Sequence, residues 1–293
     1  MNDYFVRQPY YSLWRTDRAY RKMSTFAGRT IDQGRVRKVA ENLRTILGQD
    51  VDDERIDALS KRYFEVLTCD DLDAWLWLLK PWSQRKRHVV VKGEENFREV
   101  VNQKRGCLLV SSHFGGGFFI FEIVKELGGK PQGFGREIKR DYFRDDYFRW
   151  LYLKFRMFCV ERAIGEKIIY IGRKETGKEF LDKLEQGYHI VVFFDVPPGL
   201  IREKPEKVNL LGRDWNFAKG FLKVVAGKEI PVVPFFGCLT ENHTREFRFF
   251  PPLQVRTRDG IKDALQECAR HFEHQFLQRP EQWFFLEEAE VFW

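Results

Sequence analysis

Cys107-Leu-Leu-Val-Ser-Ser-His113-Phe-Gly-Gly-Gly-Phe118-Phe-Ile-Phe-Glu122 is the stretch from which the fold can be read. Its apolar opening has the length and composition of a strand buried on both faces, and the run from Phe118 has the character of an apolar helix. One histidine stands at the junction. An imidazole that titrates near neutrality suits general base work at such a place. Gly115, Gly116 and Gly117 let a ligand or another backbone approach closely, and a helix start offers N–H groups to a developing negative charge. A histidine that merely satisfies a turn would show the same local pattern, so the surrounding sequence has to decide.

Upstream, residues 34–80 read as helical. Val36, Val39, Leu43 and Ile46-Leu47 recur at helical spacing before Gly48, and Asp52-Asp53-Glu54 favours a second helix start. A third helix is expected over 70–79, closed by Pro81. From residue 88 strands and helices alternate: strands at 89–91, 107–110, 168–171, 190–194, 230–236 and 246–251, helices at 94–103, 118–127, 141–158, 175–184, 217–225 and 260–277. That order predicts an α/β fold with a mostly parallel central sheet flanked by helices, fronted by an N-terminal helical segment. Ligands of such sheets bind beyond the carboxyl ends of the strands, where His113 and Asp195 both fall. The expected organisation is an N-terminal arm, 1–33, and one continuous domain, 34–293, helical over 34–80 and α/β over 88–293.

Composition narrows the function classes. Fifty Lys and Arg against 43 Asp and Glu leave a net charge of +7 over 293 residues. This suits an anionic cofactor, substrate or membrane face, but no zinc-finger spacing or basic recognition helix accompanies it, so nucleic acid is not an expected partner. Cys69, Cys107, Cys159, Cys238 and Cys268 are odd in number and lack any C-x-x-C pair, which reads as reduced core thiols in a cytoplasmic protein without a metal site. His271 and His274 share a helix, yet no third ligand accompanies them. No apolar run reaches the roughly 18 residues that a membrane span requires. Aromatic share is high at 16%, with 28 Phe. Such an excess suggests an apolar groove, a lipid-facing surface or a Phe-rich core. The arm interleaves Tyr4, Phe5, Tyr10, Tyr11 and Trp14 with Arg15, Arg18, Arg21 and Lys22, a pattern that fits a peripheral contact at the inner face of a membrane or a solvated arm packed on the core.

The order of motifs resembles the lysophospholipid-acyltransferase-like superfamily. Within it the chain is similar to the late (lauroyl/myristoyl) acyltransferases of lipid A biosynthesis and the phosphatidylinositol mannoside acyltransferases. The matching blocks are Ser-Ser-His113-Phe-Gly; Ile190-Val-Val-Phe-Phe-Asp195; Val208-Asn-Leu-Leu-Gly212 with Ala218-x-Gly220 and Ile230-Pro-Val-Val-Pro-Phe-Phe236; Pro251-Pro252-Leu253; and Arg279-Pro-Glu-Gln-Trp283. Together they cover roughly residues 34–293. The resemblance implies a glycerolipid-acyltransferase-like fold and acyl transfer from an acyl-carrier-protein or acyl-CoA thioester to a hydroxyl or amine, without a cofactor. It implies His113 as general base, Asp195 as a strand-end carboxylate, and Arg162, in Arg162-Ala-Ile-Gly165, as an oxyanion or substrate-binding group. Arg136, in Gly133-Phe-Gly-Arg136, is a further candidate for that role, and Gly115, Gly116 and Gly117 belong to the substrate-binding turn.

Two departures bear on that expectation. The family carries an acid five residues after the histidine, which would hold the imidazole tautomer as a triad Asp does. Here that position is Phe118. Glu122, one turn further, leans back toward His113 in a helix and is a candidate replacement. Asp195, Glu137 or a backbone carbonyl are the other groups able to orient the ring. The second departure is the end of the chain. Where lipid A enzymes carry His-Arg-Arg and further basic residues, this chain reads Leu286-Glu287-Glu288-Ala289-Glu290. An anionic end argues against a phosphorylated lipid acceptor and favours a smaller biosynthetic one. Two other functions fit the same residues: a non-catalytic acyl-carrier or lipid-binding scaffold, suggested by Phe118, and a thioester hydrolase using water. The hydrolase would lack a G-x-S-x-G elbow; only Ser111 shares the strand face of His113.

Overall fold

The computed structural model describes residues 33–293 apart from 144, 145, 202, 242 and 243. The arm proposed for 1–33 therefore lies outside the described residues, save for Gln33. In chain order the elements are α1 (Gln33–Leu47), α2 (Asp53–Leu79), α3 (Trp82–Arg85), β1 (Val89–Lys92), α4 (Glu94–Asn102), β2 (Cys107–Ser111), α5 (Ile120–Glu126), β3 (Lys130–Gly135), α6 (Tyr147–Ile164), β4 (Ile169–Tyr170), α7 (Thr176–Glu185), β5 (Tyr188–Phe193), β6 (Glu206–Leu210), β7 (Arg213–Phe217), α8 (Gly220–Val225), β8 (Pro231–Leu239), β9 (Arg245–Phe249), β10 (Leu253–Gln254) and α9 (Gly260–Gln278).

The central sheet runs β1-β9-β8-β2-β5-β3-β4, with β10 on β8. Strands β8, β2, β5, β3 and β4 are parallel; β9 turns antiparallel on β8, and β1 follows β9 in parallel. The fold is α/β with a mostly parallel sheet flanked by helices. Strand β2 lies near its centre and is buried at all five residues, because alternate side chains enter different cores. Leu108 and Val110 join Ile190, Val192, Phe236 and the α9 residues Leu265, Phe272 and Phe276 on one face. Cys107 and Leu109 join Val191, Val233 and Phe235 under Phe97, Ile120, Val124 and Val160 on the other.

Three elements differ from expectation. Residues 53–79 form one helix rather than two, so Asp70 does not begin a helix but is buried within it. The long aromatic helix begins at Tyr147, because the Asp146 side chain accepts from the Arg149 N–H as its cap, and it runs on to Ile164 before left-handed Gly165. Residues 206–217 form the hairpin β6–β7. Its Leu211-Gly212 turn takes φ of +53° and +75°, the mirror-image turn geometry matched to strand twist.

The acidic end is not a free anionic surface. Arg35 of α1 holds the Glu287 carboxylate with two guanidinium nitrogens, Lys38 reaches Glu290 at 2.7 Å, and Asn42 donates to the Leu286 carbonyl at 2.7 Å. Glu287 and Glu290 are thus paired with basic α1, while Glu288 between them is exposed.

Candidate functional site

Strand register creates the site. Strands β2 and β5 pair in parallel with Ser111 opposite Phe193, so the residues two positions on, His113 and Asp195, meet at the carboxyl edge. Asp195 is fully buried and engages His113 twice: Oδ1 lies 2.8 Å from Nδ1, and Oδ2 accepts the His113 backbone N–H at 2.8 Å. A third donor, Trp283 Nε1–H, reaches Oδ2 at 2.9 Å. With the carboxylate accepting from Nδ1–H, the proton is assigned to Nδ1 and the Nε2 lone pair is left available. Among the described residues none hydrogen-bonds Nε2, and the side chain keeps 36% of its surface exposed. The ring stacks on Phe193 at 4.4 Å and meets Phe285 edge-on at 5.1 Å, so its walls are apolar.

The histidine turn is clamped from both sides. Gly115 N–H donates to the Gln282 carbonyl and Phe284 N–H to the His113 carbonyl, both at 2.9 Å, so the Gln282–Phe284 segment lies antiparallel along the turn. On the other side Arg245 Nη1 donates to the Gly115 carbonyl at 2.8 Å, and its Nη2 pairs with buried Asp73 of α2. The same helix supplies Asp70 and Asp71 to buried Arg156 of α6. Gly115 and Gly116 have φ of +58° and +85°, and a Cβ on Gly115 would sit 2.4 Å from the Gly237 carbonyl oxygen. At both positions protein atoms already occupy the space that a Cβ would need. Gly117, whose nearest neighbour is the Phe193 ring at 3.4 Å, has room.

Glu122 does not reach His113. Its carboxylate is held by both terminal nitrogens of Arg85, a nearly buried ion pair. The guanidinium lies 5.7, 5.5 and 5.8 Å from the ring centroids of Trp77, Trp82 and Phe119, so the pair is caged in aromatics. The expectation that Glu122 replaces the missing acid is corrected: α5 turns it toward α3. Glu137 is not the ring's partner either. Phe118, at the position of the family acid, packs under the Arg156 guanidinium, whose carbon lies 4.2 Å from the ring centroid.

Arg162 makes no hydrogen bond or ion pair with the histidine turn among the described residues. The α6 arginine that packs on Phe118 is Arg156; Arg162 follows six residues later, about 9 Å along the helix. It is exposed in a separate cleft lined by neither His113 nor Asp195. Arg136 does follow β3 at the carboxyl edge, since β3 pairs with β5, and stacks on Tyr142 at 4.7 Å. Ser111 is buried with its hydroxyl donating to the Ser112 carbonyl at 3.2 Å, an unpromising posture for a nucleophile. The positioning groups that sequence reasoning missed are Trp283, Arg245 and Arg156. Trp283 is visible only as the end of the Arg279–Trp283 block, with nothing to mark it as a partner of Asp195, and an arginine that opens a strand carries no local signal of its own. Only the buried acidic triplet Asp70, Asp71 and Asp73, spaced on a helix otherwise apolar there, hinted at cationic partners.

No curated protein matches the chain. The family model described as bacterial lipid A biosynthesis acyltransferase matches residues 14–289, reaching back past α1 and including the histidine turn, Asp195 and Trp283. With that match over nearly its whole length, the chain belongs to the bacterial lipid A biosynthesis acyltransferase family.

Proposed function

We propose that the chain moves an acyl group from an acyl-carrier-protein or CoA thioester to a hydroxyl or amine, with His113 as general base and Asp195 as the carboxylate that orients it. The observation that carries this reading is the double engagement of His113 by buried Asp195, which supplies the tautomer lock that the Phe118 position has lost. Nε2 removes the proton from the acceptor; the acceptor oxygen or nitrogen bonds to the thioester carbonyl carbon; the C–S bond breaks, and the thiolate takes the proton from the imidazolium. Apolar Phe193 and Phe285 flank the ring and fit the acyl part of a thioester, and Arg136, a cation that follows β3, suits an anionic part of donor or acceptor. The bond between Glu287 and Arg35 leaves an anionic lipid open as acceptor alongside a small biosynthetic one.

The test is a transfer assay read by mass spectrometry, with isotope-labelled acyl-CoA and acyl-carrier donors, a lipid and small-molecule extract, and His113→Ala beside the parent protein. A labelled ester or amide made only by the parent is expected. Labelled free acid alone, again dependent on His113, would replace transfer by hydrolysis. Equal product from His113→Ala would remove His113 from the mechanism.

A further inference from the structure

Asp195 is fully buried, and its one ion-pair partner among the described residues is the ring of His113. A carboxylate taken out of water keeps its charge through the hydrogen bonds it accepts. Three donors reach this one: the His113 backbone N–H and Nδ1 at 2.8 Å each, and the Trp283 indole Nε1–H at 2.9 Å. The first two belong to the residue that the carboxylate has to orient. The indole is the donor that comes from another part of the chain.

An indole has a single N–H and no acceptor, so its bond to the carboxylate has one polarity. With the His113 backbone N–H also on Oδ2, that oxygen faces two donors and has no place for a proton, which leaves Oδ1 to accept from Nδ1–H. The terminal torsion of an Asp side chain is broad, so hydrogen bonds rather than rotamer wells set the plane of the carboxylate. Trp283 sets it from a fixed point. Its ring is fully buried, with the rings of Trp215, Phe272 and Phe292 centred 5.4, 5.8 and 5.3 Å away. Its chain neighbours Gln282 and Phe284 pair with Gly115 and His113 through the backbone. Indole and imidazole thus share one frame, with the β5 carboxylate held between them. Trp215 supplies the contrast: equally buried in the same cluster, its indole N–H has no hydrogen-bond partner among the described residues. Burial in this cluster does not by itself bring an indole N–H to an acceptor.

We propose that Trp283 is a positioning residue for the reaction inferred above: its indole N–H fixes Oδ2, so that Oδ1 keeps the His113 proton on Nδ1 and Nε2 stays free to take the acceptor's proton. Trp283 acts through Asp195 and not on the substrate. The proposal rests on His113 being the base.

The experiment reads the tautomer of His113 from the nitrogen-15 shifts of its ring by NMR, at a pH where the ring is neutral and with the signal assigned by its loss in His113→Ala. Steady-state kinetics in the transfer assay accompany it. The parent is compared with Trp283→Phe, Trp215→Phe, Asp195→Asn and His113→Ala. The parent is expected to hold the Nδ1–H form, and Trp283→Phe and Asp195→Asn to admit the Nε2–H form. Trp283→Phe is expected to lose at least about tenfold in kcat with KM within about twofold, a smaller loss than that of Asp195→Asn. Trp215→Phe gives up a comparable ring and is expected to melt lower while keeping the parent's tautomer and kcat. Should Trp283→Phe not fold, 3-benzothienylalanine at position 283, with sulfur in place of the N–H, supplies the same comparison. A parent in the Nε2–H form would overturn the proposal, as would a Trp215→Phe variant that shifts tautomer and kcat as far as Trp283→Phe. Unchanged tautomer and kcat in Trp283→Phe, beside an inactive His113→Ala, would remove Trp283 alone. Parental turnover in His113→Ala would instead overturn the base reading, and with it any part of Trp283 in catalysis.

Discussion

Asp195 is the residue on which the proposed chemistry turns, because both of its oxygens are committed to the histidine turn and the indole of Trp283. Asp195→Asn would keep the shape but place an amide where the Nδ1 proton needs an acceptor, favouring the wrong tautomer. Its kcat is expected to fall by about 10³–10⁴ with KM little changed, measured by steady-state kinetics; a fall below tenfold would mean that something else holds the ring. Glu122 is the contrasting case. Glu122→Gln strips the nearly buried Arg85 of its counter-charge. It is expected to cost about 3–5 kcal/mol in urea unfolding, with the rate per folded molecule preserved. A lost rate at unchanged stability would reinstate Glu122 in the chemistry.

At the scale of elements, three segments distant in sequence hold one turn. Strand β9 brings Arg245 to the Gly115 carbonyl, helix α2 brings Asp73 to Arg245, and the Gln282–Phe284 segment pairs with the turn itself. The three glycines therefore should not respond alike. Gly115→Ala demands both a left-handed φ and a Cβ 2.4 Å from a carbonyl oxygen, so it is expected to abolish soluble, active protein. Gly117→Ala meets only the edge of the Phe193 ring at 3.4 Å and is expected to retain fold and most activity. Expression, melting temperature and turnover of the pair check this; equal tolerance at both positions would show that the turn is looser than its contacts imply. Helix α6 differs from the other long helices at this scale. Its apolar residues run round both faces, so periodicity alone could not say which half meets the core and which half the surroundings.

For the molecule as a whole, the acid limb of stability is expected to run through His189. This side chain is buried in the sheet beside Cys107 Sγ at 3.3 Å and the Phe97 ring, and burial, with a smaller contribution from the Lys130 charge, lowers its pKa from 6.5 to about 4. Above pH 6.5 the group is neutral in folded and unfolded chains alike, and the native state carries no penalty. As pH falls from 6.5 to about 4 the unfolded chain takes up a proton that the folded one refuses. Stability then drops by up to about 3 kcal/mol. Urea midpoints across that window should fall less steeply for His189→Gln; identical slopes would assign the acid limb to other groups. The docking of the Glu287–Glu290 end on α1 is another whole-molecule feature, since it joins the first described helix to the last residues of the chain.

By itself the sequence determined the α/β alternation, the buried strand 107–111 with its histidine, the second strand ending on Asp195 and the family blocks, because each is written in local periodicity, composition and order. It could not decide which carboxylate meets His113. That depends on the parallel register of β2 and β5, which lie far apart in the chain. A one-residue slip between them would have turned Asp195 to the opposite face. The helical geometry that recommended Glu122 was sound as local reasoning and failed because Arg85, from another helix, claimed the carboxylate. Nor could the sequence show that Glu287 and Glu290 pair with α1, or that protein closes in on Gly115 and Gly116. Pairing between distant charges and close approach between distant backbones exist only once the chain is folded.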